Sequence, residues 1–179
     1  MVIKELYPEA KVRLEYCPEF APSMNIDILV IIDSRWIPIE VKYKTKKYCK
    51  TIDDEIFVLK EHSAKDKNCY LYLKDLQCIE YIKENTSSFE KGYAIFLTNE
   101  CSYLKEPIKP SCVYKEFSLA DGAVKSGMMK WSETASSGTK KGYEEPIHLK
   151  GTYNIQWNTY SELDESRTGK FFILVNTVE

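Results

Sequence analysis

The sequence lacks any long run of apolar residues and any excess of charge of one sign. None of its apolar stretches approaches the roughly 18 residues of a membrane-spanning helix, and the opening MVIKELYPEA has no long apolar core of a secretory signal. The 25 Lys and Arg residues against 27 Asp and Glu leave a net charge of -2, which creates no overall field for nucleic acid or an anionic membrane. These absences predict a cytoplasmic protein with no membrane partner, in which a polyanion would need a local patch.

Residues for a zinc site or a disulfide framework are also scarce. The six cysteines include no C-x-x-C pair, and only two histidines, His62 and His148, are present to complete a zinc site. We therefore expect no structural zinc and expect reduced thiols. With 13 Tyr, 7 Phe and 3 Trp among 179 residues, a core can form without crosslinks. The composition, 44% hydrophobic and 29% charged, predicts one globular domain over residues 1–179.

The strongest structural signal is a β-hairpin. Ile26–Ile32 is a β-branched run, Trp36–Tyr43 alternates, and Asp33 and Ser34 between them are typical turn residues.

Helical periodicity follows the hairpin. It predicts a short helix over Thr51–Glu61, where acids occupy the first turn, and a longer one over Cys69–Asn85, with Asp75 inside its apolar stripe. The fold class is therefore α/β, with a central mixed sheet of four or five strands flanked by helices and a β-rich C-terminal extension over residues 112–179. The remaining predicted strands are Val12–Tyr16, Tyr93–Asn99, Cys112–Leu119, Ile147–Trp157 and Lys170–Val178.

The hairpin predicts that two carboxylates lie opposite each other. If Asp33 and Ser34 form a two-residue turn, Asp27 faces Glu40 across the strands. Facing side chains project from the same side roughly 5 Å apart, and the period of two places Lys42 on that side as well. Because facing like charges destabilise a sheet, this arrangement needs a compensating cation.

A hard divalent cation would meet that need. Mg²⁺ accepts one or two carboxylates and completes its shell with waters and phosphate oxygens. Lys42 would orient or deprotonate an attacking water and neutralise charge that develops on the phosphate. The pattern therefore favours metal-assisted hydrolysis of phosphodiester bonds.

The hairpin carries Asp27 and, after twelve intervening residues, Glu40-Val41-Lys42. This spacing resembles the D…(D/E)-x-K signature of the PD-(D/E)XK nuclease superfamily, which has the restriction-endonuclease-like fold. The stretch from about residue 12 to 99 resembles its core in order: a strand, the hairpin, a helix and a buried strand. The segments YLYLKDLQCIEYIK and GYAIFLTN resemble uncharacterised bacterial members. The resemblance implies Mg²⁺ or Mn²⁺ held by Asp27, Glu40 and the carbonyl of Val41, with Lys42 serving the water, and DNA as the substrate.

The resemblance also implies accessory acids. Many members begin with a longer helix that carries an extra acid, whereas here only about ten residues precede the first strand. Glu15, or else Glu5 or Glu9, would have to substitute for it. By the same resemblance, Asp75 and Glu80 act near the site. The choice between endonuclease and exonuclease stays open.

A run of five lysines in nine positions begins at Lys42, the last residue of the motif. We expect Lys44, Lys46 and Lys47 to contact the nucleic-acid backbone, although such a run also protects an edge strand from aggregation.

Two other interpretations stay open. The chain could be an inactive protein of the nuclease fold that binds nucleic acid or a protein partner. Alternatively, the hairpin could be only structural, with Ile39, Val41 and Tyr43 in the core while Glu40 and Lys42 lie on a solvated face. Assembly as a homodimer is also left open.

Overall fold

The computed structural model describes residues 2–109 and 112–179, without the side chain of Ile52. Within these ranges the chain forms a mixed central sheet of six strands and three α-helices, so the α/β class is confirmed. The elements are α1 (Val2–Leu6), β1 (Lys11–Tyr16), β2 (Ile26–Ile32), β3 (Arg35–Lys44), β4 (Tyr48–Ile52), β5 (Glu55–Leu59), α2 (Lys65–Asn85), β6 (Gly92–Thr98), a 3-10 helix (Lys115–Phe117), β7 (Val124–Met129), α3 (Ser137–Lys140), β8 (Ile147–Asn154), β9 (Trp157–Glu162) and β10 (Lys170–Val178).

The central sheet has the strand order β1-β2-β3-β6-β10-β9. Its pairs are antiparallel except β3 with β6, which are parallel and are joined through α2. The sheet thus has six strands instead of the predicted four or five, because β9 and β10 pair onto the edge that β6 would otherwise expose. The predicted C-terminal extension is divided between this sheet and the separate β7–β8 hairpin.

The hairpin of β2 and β3 is confirmed. Ile32 pairs with Arg35 at its tip and Ile28 pairs with Ile39 farther down. Asp33 and Ser34 have φ values of 50° and 65°, the left-handed conformation that a two-residue turn of type I′ requires. The turn therefore sets the predicted register.

The predicted helix over Thr51–Glu61 is wrong, since this segment contributes to a second hairpin, β4 with β5. Its turn residues, Asp53 and Asp54, have φ values of 48° and 65°. Aspartate tolerates the left-handed conformation, and the Ile, Phe and Val that follow favour a strand. The two acids mark a turn here instead of the first turn of a helix.

Other predictions differ from the structure in the C-terminal half. The strand predicted over Cys112–Leu119 is instead a run of turns around the 3-10 helix. The strand predicted over Ile147–Trp157 is two strands, β8 and β9, because Ile155 leaves the ladder to exchange backbone hydrogen bonds with Gly122 and Ala123. The strand β10 is confirmed, and α2 begins four residues before the predicted Cys69.

Helix α2 packs across the face of the sheet that carries the predicted site. The Tyr72 hydroxyl donates a hydrogen bond to the carbonyl of Ala94 at 3.2 Å, and the Tyr72 ring contacts Phe96 at 5.8 Å between centroids. In the parallel ladder Glu40 pairs with Ala94 and Lys42 pairs with Phe96. Because paired residues of neighbouring strands share a face, Glu40 and Lys42 point towards α2.

The opposite face of β3 is the open one. Val41 is 37% exposed and Tyr43 is 42% exposed, whereas Glu40 is only 5% exposed. The purely structural interpretation of the hairpin, with Val41 and Tyr43 in the core and Glu40 solvated, is therefore wrong. The position of α2 reverses it, because the helix covers the charged face.

Two further observations concern the whole fold. All six cysteines carry free thiols. Among the described residues, no helix combines the length and the apolar character that crossing a bilayer requires.

Candidate active site

The hairpin register brings Asp27 and Glu40 together. They follow the Ile28–Ile39 pair at the end of the β2–β3 ladder and lie on the face that α2 covers. Oδ2 of Asp27 accepts a hydrogen bond from the backbone N–H of Val41 at 2.7 Å. Two carboxylates thus meet where β2 ends its pairing with β3.

Lys42 lies on the same face but is paired with a different acid. Its Nζ is 2.6 Å from Oδ2 of Asp75 on α2, and the two side chains are only 17% and 13% exposed. The contact is a close, largely buried ion pair. This pair explains how α2 carries a carboxylate in its apolar stripe, since a buried charge requires a partner.

Asp27 and Glu40 have no such partner. Among the ion pairs of the described residues, none within 4 Å joins either acid to a Lys, Arg or His. Burial and, to a smaller extent, the charges of Asp75 and Asp27 together raise the pKa of Glu40 to about 9, although the charge of Lys42 opposes this shift. Without a bound cation, Glu40 is therefore protonated at neutral pH.

The pKa values also define the state of the Lys42–Asp75 pair. Burial raises the pKa of Asp75 to about 6, although the charge of Lys42 opposes this shift. Burial lowers the pKa of Lys42, but the charges of Asp75, Asp27 and Glu40 outweigh burial, so that this pKa is raised. Lys42 therefore stays protonated, which suits charge stabilisation and water orientation better than proton abstraction.

The donor set fits a Mg²⁺ that substrate and water help to coordinate. Within residues 2–109 and 112–179, no three His, Cys, Asp or Glu side chains form a complete metal cage. Mg²⁺ needs only one or two carboxylates, which Asp27 and Glu40 offer. Because the N–H and C=O of a strand residue point to the same neighbour, the carbonyl of Val41 is directed to the side of Asp27 and is a third oxygen.

The two remaining accessory candidates lie in different settings. Glu15 is exposed on β1, beside Asp27 in the strand register, and has a left-handed φ of 49°. Glu80 is buried, and its carboxylate accepts hydrogen bonds from the N–H of Gly151 at 2.7 Å and the hydroxyl of Tyr153 at 2.7 Å. The N–H of Lys150 donates to the same group at 3.0 Å. Glu80 thus anchors β8 to α2.

The three lysines proposed to contact nucleic acid also differ. Nζ of Lys46 is 2.8 Å from a carboxylate oxygen of Glu61, so its charge is partly neutralised within the protein. Lys44 continues the face of Lys42, and its charge favours ionised Asp75. Lys47 is exposed between β3 and β4. The structure therefore leaves Lys44 and Lys47 as the better candidates.

The sequence did not predict the cleft beside Glu40. It has a volume of about 770 Å³, and Glu40 and Asp75 line it. The loop of residues 20–25 forms one wall, while α2 and β8 form the others, including Tyr81. Helical periodicity does place Tyr81 opposite the apolar stripe, a signal that it faces outward, but the loop has no recognisable motif.

Comparison of the chain with protein-family models, curated proteins and solved structures finds no match. The geometry of the cleft and its acids therefore carries the functional argument alone.

Proposed function

We propose that the protein is a Mg²⁺- or Mn²⁺-dependent nuclease that hydrolyses phosphodiester bonds of DNA, with a site of the PD-(D/E)XK type. One observation carries the proposal: Glu40 is buried against Asp27 without a basic partner, while the nearby Lys42 is paired with Asp75. Two acids held in this way require either a proton or a cation between them. A divalent metal is the cation that this donor set fits.

The order of the elements supports the same proposal. A first strand, β1, precedes the hairpin that carries the acids; α2 then crosses the sheet, and β6 returns parallel to β3. This order is the one expected of a restriction-endonuclease-like core.

The residues have distinct tasks in this mechanism. The carboxylates of Asp27 and Glu40 and the carbonyl of Val41 would hold the metal, which supplies Lewis-acid activation of water and phosphate when bound. Asp75 holds the ammonium of Lys42 on the metal-binding face. From there Lys42 would orient the attacking water and neutralise the negative charge that builds on the phosphate.

The test is cleavage of single-stranded DNA, duplex DNA and RNA in Mg²⁺ or Mn²⁺. Glu40→Gln keeps the size of the side chain and removes its charge. Glu90→Gln is the matched control, because Glu90 forms an exposed pair with Arg35 at the hairpin turn. We expect wild type and Glu90→Gln to cleave and Glu40→Gln to be inactive. Cleavage by Glu40→Gln, or none by wild type on any substrate, would refute the proposal.

A second candidate is an inactive protein of the same fold that binds nucleic acid or a protein partner. The observation that favours it is the Lys42–Asp75 pair, which occupies the lysine, together with the absence, in the described ranges, of three His, Cys, Asp or Glu side chains placed to hold a metal. Mn²⁺ titration separates the two candidates. Mn²⁺ binding that Glu40→Gln abolishes supports the enzyme, whereas metal-independent binding of nucleic acid supports the second candidate.

A further inference from the structure

We infer that the cleft beside Glu40 binds a single strand of nucleic acid, with a base stacked on Tyr81, so that the enzyme acts on single-stranded segments. This inference rests on the proposed nuclease function and adds its substrate class. Glu40 and Tyr81 both line the cleft. The acid and an aromatic surface are therefore presented to the same ligand.

The first step of the argument is the depth of the acids. Glu40 is 5% exposed, and the loop of residues 20–25, α2 and β8 surround it. A phosphate oxygen must come within bonding distance of a metal held there, about 2.1 Å for Mg²⁺. The strand must consequently enter the cleft, because a phosphate that stays on the protein surface cannot reach the metal.

The second step is the size of the cleft. Its volume of about 770 Å³ is in the range of about 300 to 1,000 Å³ that suits a small ligand. Such a space accommodates a nucleotide or two but not both strands of a duplex. DNA duplexes are also stiff, with a persistence length of about 50 nm, so one phosphate does not bend inward by itself. A nucleotide would first have to leave the double helix.

The third step is an aromatic series that ends in the cleft. Phe20 stacks on Trp36 with centroids 6.3 Å apart and an interplanar angle of 28°. Tyr81 follows with its centroid 6.4 Å from Phe20, and it is 42% exposed. Unpaired bases stack on such rings irrespective of sequence. An exposed tyrosine beside a hydrolytic centre is thus suited to hold the base next to the scissile phosphate.

The charges of the cleft add a condition. Its acids include Glu40, Asp75 and Glu84, and its bases include Lys74 and Lys150, with Lys150 paired to Glu84. The cleft therefore has no excess of positive charge, and a bound divalent cation would supply the charge that attracts the phosphates. We expect binding of the single strand to require a divalent metal.

The test is fluorescence anisotropy with a labelled 12-nucleotide single strand and a labelled 12-base-pair duplex. Both are measured in Ca²⁺, which also takes carboxylate and phosphate oxygens as ligands. The variants are Tyr81→Ala, Tyr81→Phe, which keeps the ring, and Tyr160→Ala. Tyr160 is a control because it is 61% exposed on β9 and lines a different cavity.

We expect the wild-type protein to bind the single strand more tightly than the duplex and to lose this binding in EDTA. Tyr81→Ala should weaken it about tenfold, while Tyr81→Phe and Tyr160→Ala stay close to wild type. Equal affinity for the duplex, no binding of either ligand, or equal losses in Tyr81→Ala and Tyr160→Ala would overturn the inference.

Cleavage assays separate this inference from the proposed function. Equal cleavage of single strand and duplex, abolished in Glu40→Gln, would overturn the inference and leave the nuclease intact. Metal-dependent binding through Tyr81 without cleavage of any substrate would support the binding site and refute the nuclease.

Discussion

Glu40 makes the stability of the metal-free protein depend on pH. Its pKa is about 9 in the folded protein against an ordinary value of 4.5, so between these values the folded state holds a proton that the unfolded state has lost. The free energy of unfolding must then fall as the pH rises. The contribution of Glu40 is complete below pH 4.5 and disappears as the pH passes 9.

The magnitude follows from the two pKa values. One titrating group changes the free energy of unfolding by at most about 1.4 kcal/mol per pH unit. Asp75, whose folded pKa is about 6, completes most of its own transition below pH 6.5. Between pH 6.5 and 8.5, Glu40 should therefore lower the free energy of unfolding by about 2.6 kcal/mol. For a domain of this size, the loss corresponds to a fall in Tm of about 5–10 °C.

The assay is urea unfolding in EDTA at both pH values. Glu40→Gln should lack this slope, because the amide mimics the protonated carboxyl and does not titrate. Glu90→Gln, in its exposed pair with Arg35, should keep the wild-type slope.

In the wild-type protein, Mn²⁺ should reduce or reverse the fall of the unfolding free energy with pH. The metal displaces the proton and binds the ionised carboxylate more tightly at higher pH. An identical pH dependence in wild type and Glu40→Gln would refute the buried, protonated state of Glu40.

Three further changes test other parts of the structure. Lys42→Met leaves the carboxylate of Asp75 buried without its partner and should lower the free energy of unfolding by about 3 kcal/mol in urea titrations at pH 7.5; an unchanged midpoint would contradict the ion pair. Asp54→Gly removes the steric cost of a left-handed conformation, φ 65°, at a residue that has a side chain, and it should raise Tm by a few degrees. A helix at this place would instead be destabilised by glycine, and Tm would fall. Tyr153→Phe removes the hydroxyl that donates to Glu80 at 2.7 Å and should reduce stability by about 2 kcal/mol without changing metal affinity, measured by calorimetry. A loss of metal binding in Tyr153→Phe would instead place Glu80 in the metal site.

Local sequence was sufficient for the hairpin and for the grouping of its charged residues. The β-branched run, the two turn residues and the alternation of β3 depend only on near neighbours along the chain. Once Asp33 and Ser34 form the turn, the period of two brings Asp27, Glu40 and Lys42 to one face. No other part of the fold needs to be known for that result.

Local sequence was insufficient where one pattern fits two structures. Acids before an apolar run mark the first turn of a helix, but the same acids tolerate the left-handed turn of a hairpin. At Asp53 and Asp54 the hairpin formed. The pairing of β10 with β6 likewise joins segments separated by more than 70 residues, and no local cue specifies it.

The sequence by itself determined which residues of the hairpin share a face, because the pleat of a strand has a fixed period. Only the tertiary structure decided that this charged face lies beneath α2, with Asp75 against Lys42 and Glu40 left without a basic partner. Alternation defines two faces but does not indicate which one another element will cover. That depends on contacts between segments far apart in the chain, and the same contacts form the cleft and raise the pKa of Glu40.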